Sequence, residues 1–494
     1  MSKNLQYSYT KYFLKGVRSN LLNVGTSWLV GFATNIVLFN TLSNSDYIFY
    51  SVSHLTVFFF VSFSNLEFGK LIRKYFPNID NKICDKIIFK LIFNSAVVLV
   101  LSISLFISLS QYLNLYSNFD LSLSVFYGYI FICSFLQIIS NFFGEYLGAN
   151  QKFHIQEIKY LKYSTPLRVI GLLVFYFYIQ NIFFILALGL SVRLVNLAIT
   201  FTVSEASYLN FKTIKLDSET KQKFSTKKNL SFTYKNFIFF NYPLLLLSYL
   251  PIYLSNFHTA NDIAVLSLAI TLFNSIKPIL NGVLVVINPS IQQLKHLNQD
   301  IKLFKIIRTV FTLLHSFTVF GLISMWSLLN FTSFTEGLFS TFSFNLFSDL
   351  ALTSVLLSLI YILSMITHSY FLSIDYENKI FQSSIGALLA SVLCLTQYDF
   401  LGRRINLSLI IILAFYLVYF ISSYFVTSEI YGNRILYTLG VTFLFTICLR
   451  TYFYESYIIF LTINSLNLAI LLYSLKKILK QNAITLRNLL SSQN

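Results

Sequence analysis

The sequence predicts an all-α protein that crosses a membrane many times. Of its 494 residues, 56% are hydrophobic and only 11% are charged, a balance that is too apolar for a soluble protein of this length. Hydrophobic runs of about 20 residues, the length that spans a bilayer as a helix, recur from one end of the chain to the other. No stretch between them is long enough to build a soluble domain, so we expect one transmembrane unit.

The hydrophobic runs predict about fourteen spans. A twelve-helix alternative stays open at the C-terminal end, because the run at 435–449 is short and an Arg403-Arg404 pair falls on the outer side. The polar, basic start of the chain leads straight into a full-length run, so no cleavable signal peptide is expected. The predicted spans are 20–41, 46–66, 88–109, 123–147, 165–180, 182–203, 236–256, 263–290, 309–331, 347–373, 380–397, 407–427, 435–449 and 457–475.

The distribution of charge predicts which side of the membrane each loop faces. The net charge is +17, and cytoplasmic loops of membrane proteins collect Lys and Arg. Basic and neutral loops alternate, which places both termini in the cytoplasm and explains the charge without a nucleic-acid partner. The Arg403-Arg404 pair is the one local violation. The basic connections are 67–87, 148–164, 204–235, 291–308 and the tail after 475, whereas 110–122, 257–262 and 332–346 contain no Lys or Arg.

A polar, lysine-rich loop after the sixth span divides the chain into two predicted six-helix lobes. A weak internal repeat supports this division, since LSNSDYIFYSVSHL around the second span resembles LSNFHTANDIAVLSLAI around the eighth. Aligning Asp46 with Asp262 also pairs Ser51 with Ser267. Such a repeat is typical of duplicated transporter folds with a pseudo-two-fold axis along the membrane normal. The predicted units are an N-terminal lobe (1–205), a basic cytoplasmic linker (206–235), a C-terminal lobe (236–430), and two further helices with a basic tail (431–494).

Two basic residues fall deep inside predicted spans. Lys277 lies near the middle of the eighth run, directly before Pro278, and Arg193 lies in the sixth. A Lys or Arg at a helix centre costs about 2.5–3.5 kcal/mol on insertion scales, and the acidic residues near spans lie toward helix ends. The mid-membrane region is therefore cationic and suits an anionic substrate. An ion pair of Arg193 with Glu145 or Glu205 is the structural alternative.

Polar side chains form stripes on four predicted helices, the first two of each lobe. We interpret these stripes as walls of a shared aqueous cavity, with hydrogen bonding between helices as the alternative. In the seventh span, Pro243 and Pro251 predict breaks in the helix. His54 and His368 titrate near neutrality and are considered for proton coupling, with a packing role as the alternative. The predicted cavity residues are Ser51, His54 and Asn65 on the second span, Arg193 on the sixth, and Ser267, Asn274, Lys277 and Asn281 on the eighth.

The chain lacks the signatures of soluble enzymes. It contains no GxGxxG, P-loop, HExxH or sugar-nucleotide DxD motif, and no large external loop presents catalytic groups. Its four cysteines, at positions 84, 133, 394 and 448, have no metal-ligand spacing. These absences weaken the case for a membrane-embedded transferase relative to a transporter that is not an enzyme, and we expect neither a cofactor nor a metal.

Three segments carry a family resemblance that extends over nearly the whole chain. They are SNSDYIFYSVSHLTVFFF with the following FGKLIRKYF, YLGANQKFHIQEIKYLKY after the fourth span, and VLSLAITLFNSIKPILNGVLVVINPSIQQL in the eighth. In this pattern the chain resembles the polysaccharide and lipid-linked oligosaccharide flippases of the multidrug/oligosaccharidyl-lipid/polysaccharide exporter superfamily. The glycine of that family's D-Y-G-x-Y pattern is replaced here by Ile48.

The resemblance implies two six-helix bundles that face each other across a cavity lined by the first, second, seventh and eighth helices. It implies transport of a polyprenyl-diphosphate-linked oligosaccharide across the bacterial inner membrane for surface polysaccharide (O-antigen or capsule) assembly. Lys277 and Arg193 would attract the diphosphate, and the polar cavity residues would bind sugar hydroxyls. Membrane lipids, a coupled proton or sodium ion, and polysaccharide-assembly proteins are the expected partners. The alternatives are a drug or metabolite cation antiporter of the same fold and a membrane-embedded polysaccharide polymerase or ligase.

Overall fold

The structure is a computed structural model whose described residues are helical or lie in turns between helices. No β-strand occurs in the ranges it describes, in agreement with the predicted all-α class. The described residues are 23, 26–27, 29–31, 33–65, 72, 81–112, 123–149, 153–204, 226–271, 273–274, 344–373, 376–400 and 402–424.

The helices in these ranges are numbered α1 to α11. Six of them, α2, α3, α4, α6, α7 and α10, contain segments that are long and apolar enough to cross a membrane. The bounds are Leu29–Thr41 (α1), Asn44–Asn65 (α2), Asn81–Tyr112 (α3), Leu123–Ala149 (α4), the continuous series Phe153–Lys159, Tyr160–Ser164, Thr165–Val174 and Phe175–Ile179 (α5), Ile182–Ser204 (α6), Thr226–Leu254 (α7), Ala260–Thr271 (α8), Phe344–Ser373 (α9), Glu377–Phe400 (α10) and Ile410–Tyr424 (α11).

Most predicted spans in the described ranges coincide with helices. The predictions at 309–331, 435–449 and 457–475 lie outside the described residues, as does most of the predicted linker. The choice between twelve and fourteen helices therefore stays a prediction, and so do the boundaries of the two lobes.

The start of α5 differs from the prediction, because residues 153–164 are helical where a loop was expected. The helix passes Pro166 by way of a π-helical turn, Tyr160–Ser164, that precedes it directly. A proline lacks the amide proton of a regular helical turn and its ring clashes with the carbonyl four residues earlier. A π-turn widens the backbone at that point, so the helix continues into Thr165–Val174.

The predicted breaks at Pro243 and Pro251 were wrong, since α7 runs continuously through both residues. Both prolines are buried, and α7 packs between α2 and α10. Prolines are tolerated within membrane helices where neighbouring helices supply compensating contacts. Tertiary packing has therefore overridden the local preference.

The same capping arrangement begins α2 and α8. At α2, the Ser43 hydroxyl donates to the Asp46 carboxylate at 2.9 Å and accepts from the Asp46 amide at 3.2 Å. At α8, the Thr259 hydroxyl donates to Asp262 at 2.8 Å and accepts from its amide at 3.3 Å. Such reciprocal bonds satisfy amide groups that have no partner within the helix. The shared geometry supports the register that aligns Asp46 with Asp262.

Arg403, which violates the expected charge asymmetry, is paired in the turn after α10. Its Nε donates to Asp399 Oδ1 at 3.0 Å, and its guanidinium lies 3.9 Å from the ring centroid of Phe257 in the α7–α8 turn. Asp399 also accepts a hydrogen bond of 2.8 Å from the Tyr253 hydroxyl. An arginine paired in this way presents little net charge, so this local exception is compatible with the predicted topology.

Helix α2 lies at the centre of the described structure. It packs against α3, α4 and α7 and contacts α6, and its Tyr47 and Phe60 side chains are fully buried. Helix α4 packs in turn against α3 and α6. The polar positions of α2 and α6 are thereby brought to a common region beside α4.

We expect Ser43→Ala and Thr259→Ala each to lower the free energy of unfolding by about 1 kcal/mol, because each removes the side-chain oxygen that caps a helix. Thermal unfolding of the purified protein in detergent measures the effect. Ser43→Thr and Thr259→Ser keep the hydroxyl and are the matched controls. A melting temperature that either alanine variant leaves unchanged contradicts a capping role at that helix.

Candidate functional site

Arg193 lies on α6 where that helix meets α2 and α4, and it is only 8% exposed. Its Nη1 donates to the Gly189 carbonyl of the same helix at 3.1 Å and lies 3.5 Å from the Tyr129 hydroxyl of α4. Its Nη2 lies 3.4 Å from Nδ1 of His54 on α2. Its Nε has no hydrogen-bond partner among the described residues. Three helices therefore meet at one guanidinium, whose Nε–Nη2 edge has spare donor capacity.

His54 is held by aromatic rings of its own helix. Tyr50 is stacked on it with centroids 5.8 Å apart, and Phe58 meets it edge-on at 5.0 Å, as the spacing of four residues along a helix allows. A guanidinium can only donate hydrogen bonds, so Nδ1 of His54 is the acceptor toward Arg193 and the ring proton lies on Nε2. The structure thus brings two predicted site residues together, and proton coupling through His54 stays a prediction.

A second guanidinium, that of Arg168, lies in the same region and was not predicted from the sequence. We call Arg193 and Arg168 together the arginine group. Arg168 follows the π-turn of α5 and is half-buried. It is close enough to Tyr50, His54 and Arg193 to interact with them electrostatically. In the sequence, Arg168 lies near the start of the predicted span 165–180, where basic residues are common at helix ends. The one local signal that could have distinguished it is its position two residues after Pro166.

The arginine group contains two positive charges and no carboxylate within the part of the chain that the structure describes. Arg193 forms no ion pair with Glu145, and its other predicted partner, Glu205, lies outside the described residues. Arg168 interacts electrostatically with the positive charge of Arg193. Like charges within a protein are costly unless they are balanced, and an anion beside these two guanidinium groups would balance them.

The other predicted cavity residues lie along α2 and at α8. Ser51 is 2% exposed and Ser267 is fully buried, and neither hydroxyl has a hydrogen-bond partner within the described ranges. Asn65, at the end of α2, and Asn274, beyond α8, are half-buried. Neighbouring helices therefore enclose the two serines in this conformation. Two further predicted residues, Lys277 and Asn281, lie outside the described residues, and their roles stay predictions.

His368 lies on α9 in an aromatic contact with α7 and α11. Its ring stacks on Phe239 with centroids 4.3 Å apart and meets Phe240 edge-on at 4.7 Å. Its Nδ1 lies 3.2 Å from the Tyr419 hydroxyl. These contacts indicate that His368 is a packed side chain of the helix core. The helices involved, α7, α9 and α11, carry no member of the arginine group.

A second polar group lies near the start of α5. The Gln156 amide donates to Thr200 Oγ1 of α6 at 3.0 Å, and the Tyr160 hydroxyl lies 2.6 Å from the same oxygen. Beside it, the Asn23 amide donates to the Glu157 carboxylate. Glu157 precedes the predicted span 165–180. Burial raises the pKa of its carboxyl to about 7, and the hydrogen bond from Asn23 opposes that change. No group of three or more His, Cys, Asp or Glu suited to a metal occurs among the described residues.

Comparison with solved structures identifies the architecture. The chain is similar to a eukaryotic MATE transporter, AtDTX14, with a TM-score of 0.58 over 85% of this chain and 96% of that one, at 12% identity. It is similar to a MATE protein in complex with MaL6 with a TM-score of 0.57, over 87% of this chain and 99% of that one, at 11% identity. The chain has the MATE fold.

A third similar structure is an inward-facing multidrug resistance MATE family transporter of the MOP superfamily. The TM-score is 0.52, with 13% identity, over 81% of this chain and 94% of that one. Identities this low show the fold and leave the substrate open. No family model matches the chain and no curated protein matches it significantly.

We expect the stability of the protein to fall as the pH rises from 4.5 to about 7, and Glu157→Gln to flatten this part of the profile. Because burial raises the pKa of Glu157 from 4.5 to about 7, the folded state keeps a proton that the unfolded chain releases. The contribution of Glu157 to the free energy of unfolding is therefore fully present below pH 4.5 and is lost as the pH rises through about 7. Thermal unfolding in detergent across this window measures the effect, with Glu377→Gln, at the start of α10, as the control. An unchanged profile in Glu157→Gln contradicts the assignment.

Proposed function

We propose that this chain is a flippase that moves polyprenyl-diphosphate-linked oligosaccharide repeat units from the cytoplasmic to the periplasmic leaflet of the bacterial inner membrane. Its product would be used for surface polysaccharide such as O-antigen or capsule. The observation that carries the proposal is the buried guanidinium of Arg193 beside His54, with the half-buried Arg168 interacting electrostatically with both and no carboxylate paired with them among the described residues. Two positive charges match a diphosphate, the part of such a lipid that is most costly to move through a bilayer.

The chemistry of the arginine group fits phosphate oxygens. A guanidinium offers parallel N–H donors that bind two oxygens of one phosphate at once, and it is more weakly hydrated than an ammonium group, so it suits an enclosed site. The Nε of Arg193 is buried and has no hydrogen-bond partner among the residues that the structure describes. A phosphate oxygen placed there gains a charge-assisted hydrogen bond and balances the buried positive charge.

Unpaired polar atoms on α2 and beside α8 support a role in binding sugars. In the part of the chain that the structure describes, Ser51 Oγ and Ser267 Oγ are buried without hydrogen-bond partners, as are Asn65 Oδ1 and Asn274 Nδ2. A buried polar atom without a partner costs about 1–3 kcal/mol. Sugar hydroxyls supply both donors and acceptors, so a glycan that enters between the two lobes would relieve part of this cost. Asn281 belongs to the same predicted stripe.

Transport requires no covalent step. Transporters with this fold have been solved in inward-facing and outward-facing conformations, which supports alternating access in this chain. An inside-negative potential favours outward movement of an anion by about 2.3 kcal/mol per charge per 100 mV. A coupled proton or sodium ion, with His54 or His368 as carriers of the proton, is part of the proposal, as is an attraction of the diphosphate by Lys277.

The second candidate is a drug or metabolite cation antiporter, because the structures with this fold are described as multidrug transporters. A cationic substrate calls for an acidic group in the binding region, whereas the arginine group has the opposite charge.

A polysaccharide polymerase or ligase calls for a sizeable external loop. The turn between α7 and α8 and the turn between α10 and α11 are both short.

We expect Arg193→Ala and Arg168→Ala each to reduce surface glycan at least about tenfold in a strain that depends on this gene, because each removes charge-assisted hydrogen bonds of about 1.5–3 kcal/mol. Arg193→Lys and Arg168→Lys keep the positive charge but lose the bidentate geometry, so we expect them to give surface glycan levels between those of the wild type and the alanine variants. Surface glycan and the lipid-linked intermediate that accumulates in the deletion strain are measured together.

Arg404→Ala, in the exposed turn after α10, is the matched control, and protein levels are compared for every variant. Normal glycan in both alanine variants contradicts an anion-binding role for the arginine group. Sensitivity to cationic drugs in the deletion strain, without any change in glycan or in lipid-linked intermediates, favours the antiporter.

A further inference from the structure

Gly189 lies on α6 one turn before Arg193, at a point where the structure leaves no room for a side chain. A Cβ atom built on Gly189 would lie 2.9 Å from the Tyr129 hydroxyl and 3.4 Å from Arg193 Nη1. A distance of 2.9 Å between Cβ and the Tyr129 oxygen is shorter than a van der Waals contact allows, so a side chain at position 189 would displace the hydroxyl. Gly128, next to Tyr129 on α4, is different, because a Cβ there would meet nothing within 4 Å.

Because Gly189 has no side chain, it leaves a notch in the surface of α6, where its own carbonyl and the Tyr129 hydroxyl both approach Arg193. The Gly189 carbonyl accepts a hydrogen bond of 3.1 Å from Arg193 Nη1, and the Tyr129 hydroxyl lies 3.5 Å from the same nitrogen. Both oxygens therefore approach one corner of the guanidinium. Because the guanidinium is planar and rigid, holding one corner sets the direction of the opposite edge.

The opposite edge of the Arg193 guanidinium is the one with spare donors. Its Nε has no partner among the described residues, and its Nη2 makes one long contact of 3.4 Å with His54 Nδ1. Nε and Nη2 together form the edge that binds two oxygens of an oxyanion side by side. The neutral acceptor of His54 is the group that such an oxyanion would replace.

We infer that Gly189 and Tyr129 are positioning residues for anion binding, which orient Arg193 so that its Nε–Nη2 edge receives the oxyanion. The notch at Gly189 admits the Tyr129 hydroxyl, and the two oxygens at Nη1 fix the plane of the guanidinium. The inference rests on the proposed function for the identity of the anion, a diphosphate. Neither residue touches the anion itself, so their effect is transmitted through Arg193.

Isothermal titration of the purified full-length protein in detergent with inorganic pyrophosphate tests this inference. We expect Gly189→Ala to raise the dissociation constant about tenfold, because a misaligned guanidinium loses a charge-assisted hydrogen bond. Tyr129→Phe is expected to raise it by a smaller factor, since one of the two oxygens at Nη1 is lost. Gly128→Ala, a matched substitution with open space around it, is expected to leave it unchanged.

The double variant separates positioning from a general effect on folding. The added methyl group of Gly189→Ala collides with the Tyr129 oxygen, and Tyr129→Phe removes that atom. Binding by Gly189→Ala/Tyr129→Phe is therefore expected to be no weaker than binding by Tyr129→Phe alone. Additive losses overturn the inference. Size-exclusion profiles check folding, and if Gly189→Ala does not fold, Tyr129→Phe, which conserves the ring, still decides whether the hydroxyl matters.

Two further outcomes separate this inference from the proposed function. Tight binding of pyrophosphate that Gly189→Ala and Tyr129→Phe both leave unchanged overturns the positioning role alone. A wild-type protein that does not bind pyrophosphate overturns the anion site and the positioning role together. Farnesyl diphosphate, titrated alongside, distinguishes a lipid-linked from a free diphosphate. Tighter binding than pyrophosphate supports the flippase, and weaker binding overturns the lipid-linked substrate while leaving the positioning result intact.

Discussion

The enclosure of positive charge among membrane-spanning helices is the constraint on which the rest of this site depends. Arg193 is surrounded by neutral acceptors, namely a carbonyl of its own helix, a tyrosine hydroxyl and an imidazole nitrogen. These groups hold the guanidinium in place without cancelling its charge. Such a charge is costly within a membrane. Helix α4 packs against both α2 and α6, and it joins them around the guanidinium. An anionic ligand would balance this charge.

Hydropathy was sufficient to predict most of the helices in the described ranges, because a bilayer requires each spanning segment to satisfy its own backbone. Arg193 and His54 were also recognisable, since charged and polar residues are rare in apolar runs. Their contact was not predictable, because it depends on how α2 and α6 are rotated about their axes. Arg168 and Tyr129 were missed for the same reason. The helical start of α5 was missed because the basic stretch 148–164 was predicted to be a connection between spans.

The internal repeat is visible in the structure as a common register at the starts of α2 and α8. The shared caps at Ser43 and Thr259 begin α2 and α8 in the same way, yet the residues that follow have diverged. In the aligned register, Ile270, which is fully buried, occupies the position of His54, and Lys277 occupies the position of Val61. In this register each of the two segments carries a basic or titratable residue where the other has an apolar one, so the segments share a capping arrangement but differ in the charge of their side chains.

The π-turn at Tyr160–Ser164 has a consequence for the direction of Arg168. A π-turn closes i→i+5 hydrogen bonds and so holds one residue more than an α-helical turn, whereas a regular α-helix advances by about 100° per residue. The direction in which Arg168 points is therefore set by the backbone of α5 upstream of it as well as by its own identity. The insertion or deletion of one residue there would redirect the guanidinium without changing the arginine itself.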